Sequence, residues 1–246
     1  MTVSTLRQAG VKLKREKCVF MQKSIKYLGH VFDASCLRPD PDKVEAILKA
    51  PQPQNREKLE SFLGMVQYYG RHVPELSTLS GPLNELRRNN VVFKRTPKQH
   101  SSFEKLKTEL ARQRVLTHFD DKRELFLATD ASEYGVAAVL FHKATPEVGS
   151  NIKAQTGEKV ISYASRTLST AERNYSQIDK EALAIIFGIK KYDKYLMGRH
   201  FTLYTDHKPL VRLVDPKQAT SSTAAARIQR WSFFLSNYHY TVKYKK

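Results

Sequence analysis

The second half of the chain alternates between strand-like and helix-like spacing of its apolar residues. Three runs rich in β-branched and aromatic residues predict strands, at 124–130, 135–142 and 159–164. Ser169 and Glu172 then form a capping-box sequence, and apolar residues recur at helical spacing from Tyr175 to Leu196. A strand, a short helix, a helix and a strand follow, predicted at 200–206, after His207, in "AAARIQRWSFFL" and in "HYTVKY". This order of elements predicts an α/β fold.

The first half is predicted to be mainly helical after a short β-rich start. Residues 1–38 contain a short helical end, "TLRQAG", and two strand-like runs around Lys23-Ser24. Asp40 is a suitable cap for a helix with Pro41 in its first turn. Further amphipathic helices are predicted over 57–73 and 103–116. The predicted secondary structure therefore divides the chain into three segments, 1–38, 39–118 and 119–246.

The net charge of the chain indicates what kind of molecule it binds. The chain has 42 Lys and Arg against 24 Asp and Glu, a net charge of +18 and a pI near 9.8. This surplus favours nucleic acid as a partner; the alternatives are solubility alone or an anionic membrane surface. No run of about 18 apolar residues is present, so no membrane span is predicted, and "MTVSTLRQAG" lacks the apolar centre of a signal peptide. Cys18 and Cys36, with His30 between them, could suggest a metal site, but they lack C-x-x-C spacing, so we interpret them as buried or bystander thiols of an intracellular protein.

Three acidic residues, Asp130, Glu181 and Asp206, are candidates for one functional site. Asp130 ends the first predicted strand of the second half and Asp206 ends the fourth. Each alone fits a turn residue or a helix cap, and Asp206 directly precedes a predicted short helix. Glu181 lies beside a helical run that is apolar on every side, which predicts a position at the edge of a core. A buried carboxylate is costly unless it is paired or metal-bound, and the alternative is that Glu181 reaches out to solvent.

The three acids can meet if the two strands that end on Thr-Asp are adjacent and parallel. Asp130 and Asp206 then emerge at the same edge of one sheet, and a helix packed across that sheet brings Glu181 to them. Three carboxylates without a cationic side chain in the motif favour Mg²⁺ or Mn²⁺ over Zn²⁺. Beside a surface that binds nucleic acid, such a site indicates two-metal cleavage of a phosphodiester.

Longer motifs carry a family resemblance. "LATDASEYGVAAVL", "ISYASRTLSTAERNYSQIDKEALAI", "FTLYTDHKPLVRL" and "RIQRWSFFLSNYHYTVKY" resemble the ribonuclease H domain of gypsy-class LTR retrotransposon (retrovirus-like) polyproteins. "KREKCVF", "IKYLGHVF", "RPDPDKVEAI" and "LESFLGMVQYYGRHVPELSTLSGPL" resemble the end of the palm and the thumb of the same reverse transcriptase. The resemblance implies a palm remnant over 1–38 and a helical thumb or tether over 39–118. Over 119–246 it implies a ribonuclease H-like domain, a mixed five-stranded sheet flanked by helices.

The resemblance also implies roles for individual residues. Asp130, Glu181 and Asp206 match the family's three metal-binding acids, which act with two Mg²⁺ ions, and Mn²⁺ substitutes for Mg²⁺. The hairpin at Tyr27-Leu28-Gly29-His30 matches the one that grips the primer end, and helix 57–73 resembles the thumb helix that tracks the minor groove. The residues expected at nucleic acid are Tyr27, Gly29, His30, Arg56, Lys58, Gln67, Arg71, Arg227 and Arg230. Tyr68 is expected to stack or pack, and Tyr69 to pack in a core.

The implied activity is endonucleolytic cleavage of RNA in RNA–DNA hybrids. The RNA-directed DNA polymerase motif, aromatic-x-Asp-Asp, is expected before residue 1. The implied partners are the hybrid, a primer–template and the rest of the polyprotein: palm and fingers upstream, integrase downstream, in the cytoplasm (in a virus-like particle) or the nucleus.

The resemblance also sets an expectation for how strong the cleavage is. The family's fourth metal-binding acid and its C-terminal helix are expected after Lys246, so weak cleavage with a high Mg²⁺ or Mn²⁺ requirement is expected, with Asp215 as an internal substitute. The alternatives are a catalytically decayed or domesticated fragment that binds nucleic acid without cutting it, and an unrelated basic α/β scaffold protein.

Overall fold

A small antiparallel sheet and a group of helices make up the first half of the computed structural model, which describes residues 3–12, 14, 16, 18–88, 91–94, 96–143, 157–214 and 226–245. The strands, adjacent in this order, are β1 (Ser24–Tyr27), β2 (His30–Asp33), β3 (Cys36–Pro39) and β4 (Leu116–Thr117). The helices are α1 (Val3–Gln8), α2 (Pro41–Leu48), α3 (Arg56–Tyr68), α4 (Leu76–Glu85) and α5 (Pro97–Ala111). Because β4 pairs with β3, helices α2 to α5 form an excursion between two neighbouring strands.

Side-chain caps start these helices, and a shared apolar core holds them together. Asp40 accepts a hydrogen bond from the Asp42 amide at 3.3 Å, as its position before Pro41 predicted. Asn55 likewise accepts from the Lys58 amide at 2.9 Å at the start of α3. The buried core includes Val44, Ile47, Leu59, Phe62, Leu63, Val66, Tyr69, Val73, Phe103, Leu106 and Leu110. The core position expected for Tyr69 is therefore confirmed.

The second half is a mixed five-stranded sheet with helices, which confirms the α/β class. The strands are β5 (Leu125–Ala131), β6 (Gly135–Lys143), β7 (Glu158–Thr167), β8 (His200–Thr205) and β9 (His239–Tyr244). Their order across the sheet is β7-β6-β5-β8-β9; β8 is parallel to both β5 and β9, and β6 is antiparallel to both of its neighbours. The helices are α6 (Thr170–Arg173), α7 (Gln177–Lys191), α8 (Asp193–Leu196), α9 (Lys208–Leu213) and α10 (Ala226–Leu235).

Helix α7 lies across this sheet and fixes what its side chains can reach. Gly188 allows the close approach, because a Cβ atom there would lie 3.0 Å from both Ala138 Cβ and Thr129 Cγ2. The core between helix and sheet includes Leu127, Leu140, Ala182, Ile185, Ile189 and Leu203. Burial of each large aliphatic side chain contributes about 1.5–3 kcal/mol, so the orientation of α7 is strongly specified. No helix among the described residues is long and apolar enough to cross a membrane.

Several predicted helix boundaries are wrong. The helix predicted from the Ser169 cap through Tyr175 to Leu196 is three helices, α6, α7 and α8. Ser176 accepts a hydrogen bond from the Asp179 amide at 3.3 Å and so starts α7. The helix predicted over 103–116 begins at Pro97 and ends at Ala111, since Thr96 and Gln99 form a capping box. The helix predicted over 57–73 ends at Tyr68 and continues as a 3₁₀ turn over Gly70–His72.

The β-rich start also differs from its prediction. The two strand-like runs were placed around Lys23-Ser24, whereas the strands are β1 and β2, with the turn at Leu28 and Gly29. Both turn residues have positive φ, 45° and 67°, a conformation that glycine adopts without strain. The segment 39–118 is not purely helical, because it contains the two-residue strand β4.

Candidate metal centre

Two strand ends bring two of the three acids together. Strands β5 and β8 are parallel, and Leu125 is paired with Phe201. Asp130 and Asp206 each lie five residues beyond this pair, so both reach the same edge of the sheet. The side-by-side parallel arrangement, which was the condition for the three acids to meet, is therefore what the structure shows.

Helix α7 supplies the third acid. Glu181 is 4% exposed, and one ligand oxygen from each of Asp130, Glu181 and Asp206 lies within 4.8 Å of the others. Gln177, one turn earlier, donates a hydrogen bond of 2.6 Å to Glu181 Oε1. The other oxygen, Glu181 Oε2, is buried and has no hydrogen-bond partner among the described residues. A buried acceptor without a donor is costly, and this one lies beside two further carboxylates.

The electrostatics of the cluster disfavour three negative charges. Burial, followed by the charge of Asp130, raises the pKa of Glu181 to about 7, while the hydrogen bond from Gln177 opposes the rise. Burial and the charge of Asp206 raise the pKa of Asp130 above its usual value. None of the ion pairs between described residues involves these acids. A bound cation would relieve both the repulsion and the missing partner of Glu181.

The chemistry of the donor set fits a hard divalent cation. All three groups are carboxylates, and oxygen ligands suit Mg²⁺ and Mn²⁺. Glu181 Oε2, the unpartnered oxygen, is available as a ligand, while the Gln177 hydrogen bond holds the other oxygen in place. Asp215, the expected internal substitute for a fourth acid, lies outside the described residues.

The predicted primer-grip hairpin is tied to the end of α3 by tyrosine hydroxyls. Tyr69 donates a hydrogen bond of 3.1 Å to the Gly29 carbonyl, and Tyr68 donates to the Leu28 carbonyl. The ring of His30 lies 5.5 Å from that of Tyr68, centroid to centroid. Tyr27, at the end of β1, is 61% exposed and therefore accessible to a partner. The sequence motif located the hairpin, but it did not indicate that Tyr68 and Tyr69 hold its tip.

The residues predicted to contact phosphate over 56–71 differ in how exposed they are and in what they contact. Lys58, Gln67 and Arg71 are exposed. Arg71 also lines a cleft of about 600 Å³ between the two halves of the chain, with Arg166 on its other wall. Arg56 instead uses its guanidinium within the fold: it donates to the Arg88 and Val91 carbonyls at 2.8 and 3.2 Å. Its assignment as a phosphate contact stays a prediction that competes with this structural use.

The two predicted arginines of α10 also differ. Arg227 forms an ion pair of 3.1 Å with Asp179 and lies 3.8 Å over the ring of Tyr175. This arginine therefore ties α10 to α7, the helix that carries Glu181. Arg230 is exposed on the same helix.

The sequence analysis missed Gln177. Its position four residues before Glu181 places both side chains on one face of a helix, and that spacing was the available signal.

Comparisons with known proteins agree on one kind of domain. The family described as "RNase H-like domain found in reverse transcriptase" matches residues 120–238. The chain is 32% identical over 247 residues to the retrovirus-related Pol polyprotein from transposon 297 of Drosophila melanogaster. The aligned region covers 100% of this chain and 22% of that protein. The chain is 33% identical over 242 residues to the transposon Tf2-3 polyprotein of Schizosaccharomyces pombe, covering 98% of this chain and 17% of that protein. The chain thus spans about a fifth of the length of these curated relatives.

Solved structures share the fold. The foamy viral protease-reverse transcriptase in complex with RNA/DNA hybrid matches with a TM-score of 0.70 and 19% identity, covering 94% of this chain and 30% of that one. The foamy viral protease-reverse transcriptase dRH in complex with ds DNA matches with a TM-score of 0.73 and 19% identity, covering 99% and 41%. At this level of identity the likeness is one of fold.

Proposed function

We propose that this chain cleaves the RNA strand of RNA–DNA hybrids. Residues 120–238 match the RNase H-like domain found in reverse transcriptase, and the chain is related along nearly its whole length to retrotransposon Pol polyproteins. The reaction is endonucleolytic and depends on Mg²⁺, with two ions in the active complex and Mn²⁺ as a substitute. The observation that carries the proposal is the convergence of three carboxylates within 4.8 Å at a sheet edge.

Asp130, Glu181 and Asp206 would hold the ions. Bound Mg²⁺ supplies Lewis acidity and offsets the charge that develops on the scissile phosphate. Gln177 keeps the Glu181 carboxylate oriented through its 2.6 Å hydrogen bond to Oε1, and Oε2 is left as the oxygen available to an ion. Burial of Glu181 strengthens its interaction with a cation, because the local dielectric is lower than that of water.

The surface suits a hybrid substrate. The net charge of +18 favours a polyanion, and Lys58, Gln67 and Arg71 are exposed on the thumb side of the chain. Selection of RNA over DNA would come from contacts to 2′-hydroxyls and from minor-groove shape. A foamy viral relative in fold is described with an RNA/DNA hybrid, which supports the same class of ligand here.

The hairpin and thumb support a second role for the first half. Two tyrosine hydroxyls fix the tip of the hairpin against α3, which would hold a primer end in a constant place. We infer that in a longer polyprotein this half binds a primer–template next to the polymerase site of the palm and fingers, with integrase as a further partner, in a cytoplasmic virus-like particle or in the nucleus.

Cleavage of a labelled hybrid tests the proposal. The wild-type chain should cut the RNA strand with Mg²⁺ or Mn²⁺ and stop when EDTA is added. Asp130→Asn should abolish cleavage, while hybrid binding persists or tightens because a negative charge near phosphate is removed. Asp121→Asn is a matched control, since this acid precedes β5 and therefore lies at the opposite end of the strand from Asp130.

The outcomes separate the two classes of function. Equal cleavage by folded Asp130→Asn and wild type would overturn the site assignment. Hybrid binding without any metal-dependent cleavage by the wild type would instead favour the alternative of a fragment that binds nucleic acid without cutting it.

A further inference from the structure

Helix α4, from the first half of the chain, holds the turn that follows Asp130. Thr78 Oγ1 on α4 lies 2.8 Å from Ser132 Oγ. The Ser132 hydroxyl accepts hydrogen bonds from the amides of Tyr134 and Gly135 at 3.2 and 3.1 Å. A hydroxyl has two acceptor sites and one hydrogen. The Ser132 hydroxyl also lies 3.2 Å from the Gly135 carbonyl oxygen, to which it can donate, and either hydroxyl can be the donor in the Thr78–Ser132 hydrogen bond. Helix α4 therefore adds a hydrogen bond to a turn that Ser132 and Gly135 already form.

Two glycines, one on each side, allow α4 to approach this closely. A Cβ atom on Gly135 of β6 would lie 2.2 Å from Ser77 Oγ and 2.7 Å from the Arg166 carbonyl oxygen. A Cβ atom on Gly81 of α4 would lie 2.8 Å from Cγ of Tyr134. All three distances are too short for any larger residue at either position without movement of a neighbour. The contact therefore depends on a close fit between α4 and the turn.

Further hydrogen bonds fix the orientation of the contact. The Ser77 amide at the start of α4 donates to Ser165 Oγ of β7 at 2.9 Å. Lys98 of α5 donates to the Tyr134 hydroxyl at 2.6 Å. These bonds join the thumb helices to β7 and to the β5–β6 turn, so the contact has a defined register as well as a close fit.

The same turn connects to the acids. Ser132 is two residues after Asp130, and the carbonyl of the intervening Ala131 accepts a hydrogen bond of 3.4 Å from Gln177 Nε2. This amide nitrogen is also the donor to Glu181 Oε1 at 2.6 Å. A displacement of the turn would therefore move the backbone of Asp130 and loosen the group that orients Glu181.

We propose that α4 is a positioning element of the metal centre and that Thr78 is its positioning residue. Helix α4 then sets the spacing of Asp130 and Glu181, and hence the affinity for the metal ion, in addition to the role of the first half in binding nucleic acid. This inference rests on the proposed function, because it concerns the same metal centre. The rival interpretation is that the contact only stabilises the fold.

Metal binding without nucleic acid distinguishes the two interpretations. In Thr78→Val the shape is nearly kept and the hydroxyl is lost. We expect Mn²⁺ affinity, measured by calorimetry or by electron paramagnetic resonance, to fall about tenfold, in the range seen when groups that orient metal ligands are removed. Cleavage at saturating hybrid should fall with it, while hybrid affinity stays unchanged. Thr78→Ser should restore both, since it returns the hydroxyl.

A matched control removes the same group elsewhere. Thr108 on α5 donates its hydroxyl to the Glu104 carbonyl of its own helix at 2.9 Å. Thr108→Val should leave Mn²⁺ affinity and cleavage at the wild-type level. A fall in this control equal to that in Thr78→Val would attribute the effect to a general loss of stability and overturn the proposal.

Gly81→Ala is a second variant of α4 at the same contact, and it perturbs the packing against Tyr134 and leaves the Thr78 hydroxyl in place. Alanine favours a helix by about 1 kcal/mol over glycine, which offsets part of the cost of the added methyl group pressing on Tyr134; a native circular dichroism spectrum checks that the variant folds. Mn²⁺ affinity should drop in this variant. Gly64→Ala on α3 is its control, because nothing lies within 4 Å of a Cβ atom there.

Two results would contradict the inference in different ways. Wild-type Mn²⁺ affinity in both Thr78→Val and Gly81→Ala would show that α4 does not set the metal centre, even if the wild type cleaves hybrids. A wild-type chain that neither binds Mn²⁺ nor cleaves would remove the metal centre itself, and the proposed function and this inference would fall together.

Discussion

Replacement of Glu181 by glutamine is expected to stabilise the protein in the absence of metal while it destroys the metal site. The pKa of Glu181 rises from its usual 4.5 to about 7, chiefly through burial and then through the charge of Asp130. Each pKa unit corresponds to about 1.4 kcal/mol, so the ionised carboxylate costs the folded state at most about 3 kcal/mol. Solvent on the open side of the site, where Asp206 is exposed, reduces that figure toward about 1–2 kcal/mol.

The sign of the effect depends on pH. Because the folded state has the higher pKa, it binds the proton more tightly than the unfolded chain does. Below about pH 4 the carboxyl is protonated in both states and contributes nothing. As pH rises from 4.5 to about 7, the unfolded chain ionises first and the free energy of unfolding falls. Above pH 7 the full penalty is present, and glutamine, which does not ionise, escapes it.

Urea unfolding in EDTA at pH 4 and pH 8 tests this reasoning. Glu181→Gln should be more stable than the wild type at pH 8 and equal to it at pH 4, and added Mn²⁺ should raise the stability of the wild type only. Asp179→Asn on the same helix is the control: it loses a 3.1 Å ion pair with Arg227 and should be less stable at pH 8. A gain of equal size at both pH values, or no gain at pH 8, would refute the account of Glu181.

Two further predictions concern nucleic acid and the hairpin. If the thumb helix and the α10 surface both contact phosphates, log K for hybrid binding should fall with log salt with a slope of about −4 or steeper for five or more contacts; an affinity that barely changes with salt would argue against a polyanionic partner. The double variant Tyr68→Phe/Tyr69→Phe should increase hydrogen exchange of the amides at 28–30, since two hydroxyl donors to the hairpin tip are lost. Tyr192→Phe, which loses a hydroxyl bond to the Ser162 carbonyl, should leave that exchange unchanged, and unchanged exchange in the double variant would show that the hydroxyls do not hold the tip.

Periodicity and local signals were sufficient for the elements that are long or capped by their own residues. The strands from β5 to β9 and the cap at Asp40 were predicted because each depends on residues close in sequence. The break at Ser176 was missed, since apolar spacing runs through it and only the cap reveals a new helix. Strand β4 gave no pattern at all, because its two residues are defined by pairing with β3, from which about 80 residues separate them.

The sequence by itself determined which acids are candidates, because two strand ends and one buried helix position leave few alternatives for Asp130, Asp206 and Glu181. Their metal-binding role stays a prediction that the proposed experiments test. Only the tertiary structure decided that one oxygen of Glu181 is held by Gln177 and the other has no partner among the described residues. It alone decided that Thr78, far away in sequence, forms a hydrogen bond with Ser132 in the turn after Asp130. The physical reason is that such contacts depend on how elements pack against one another, and packing leaves no periodic trace in the chain.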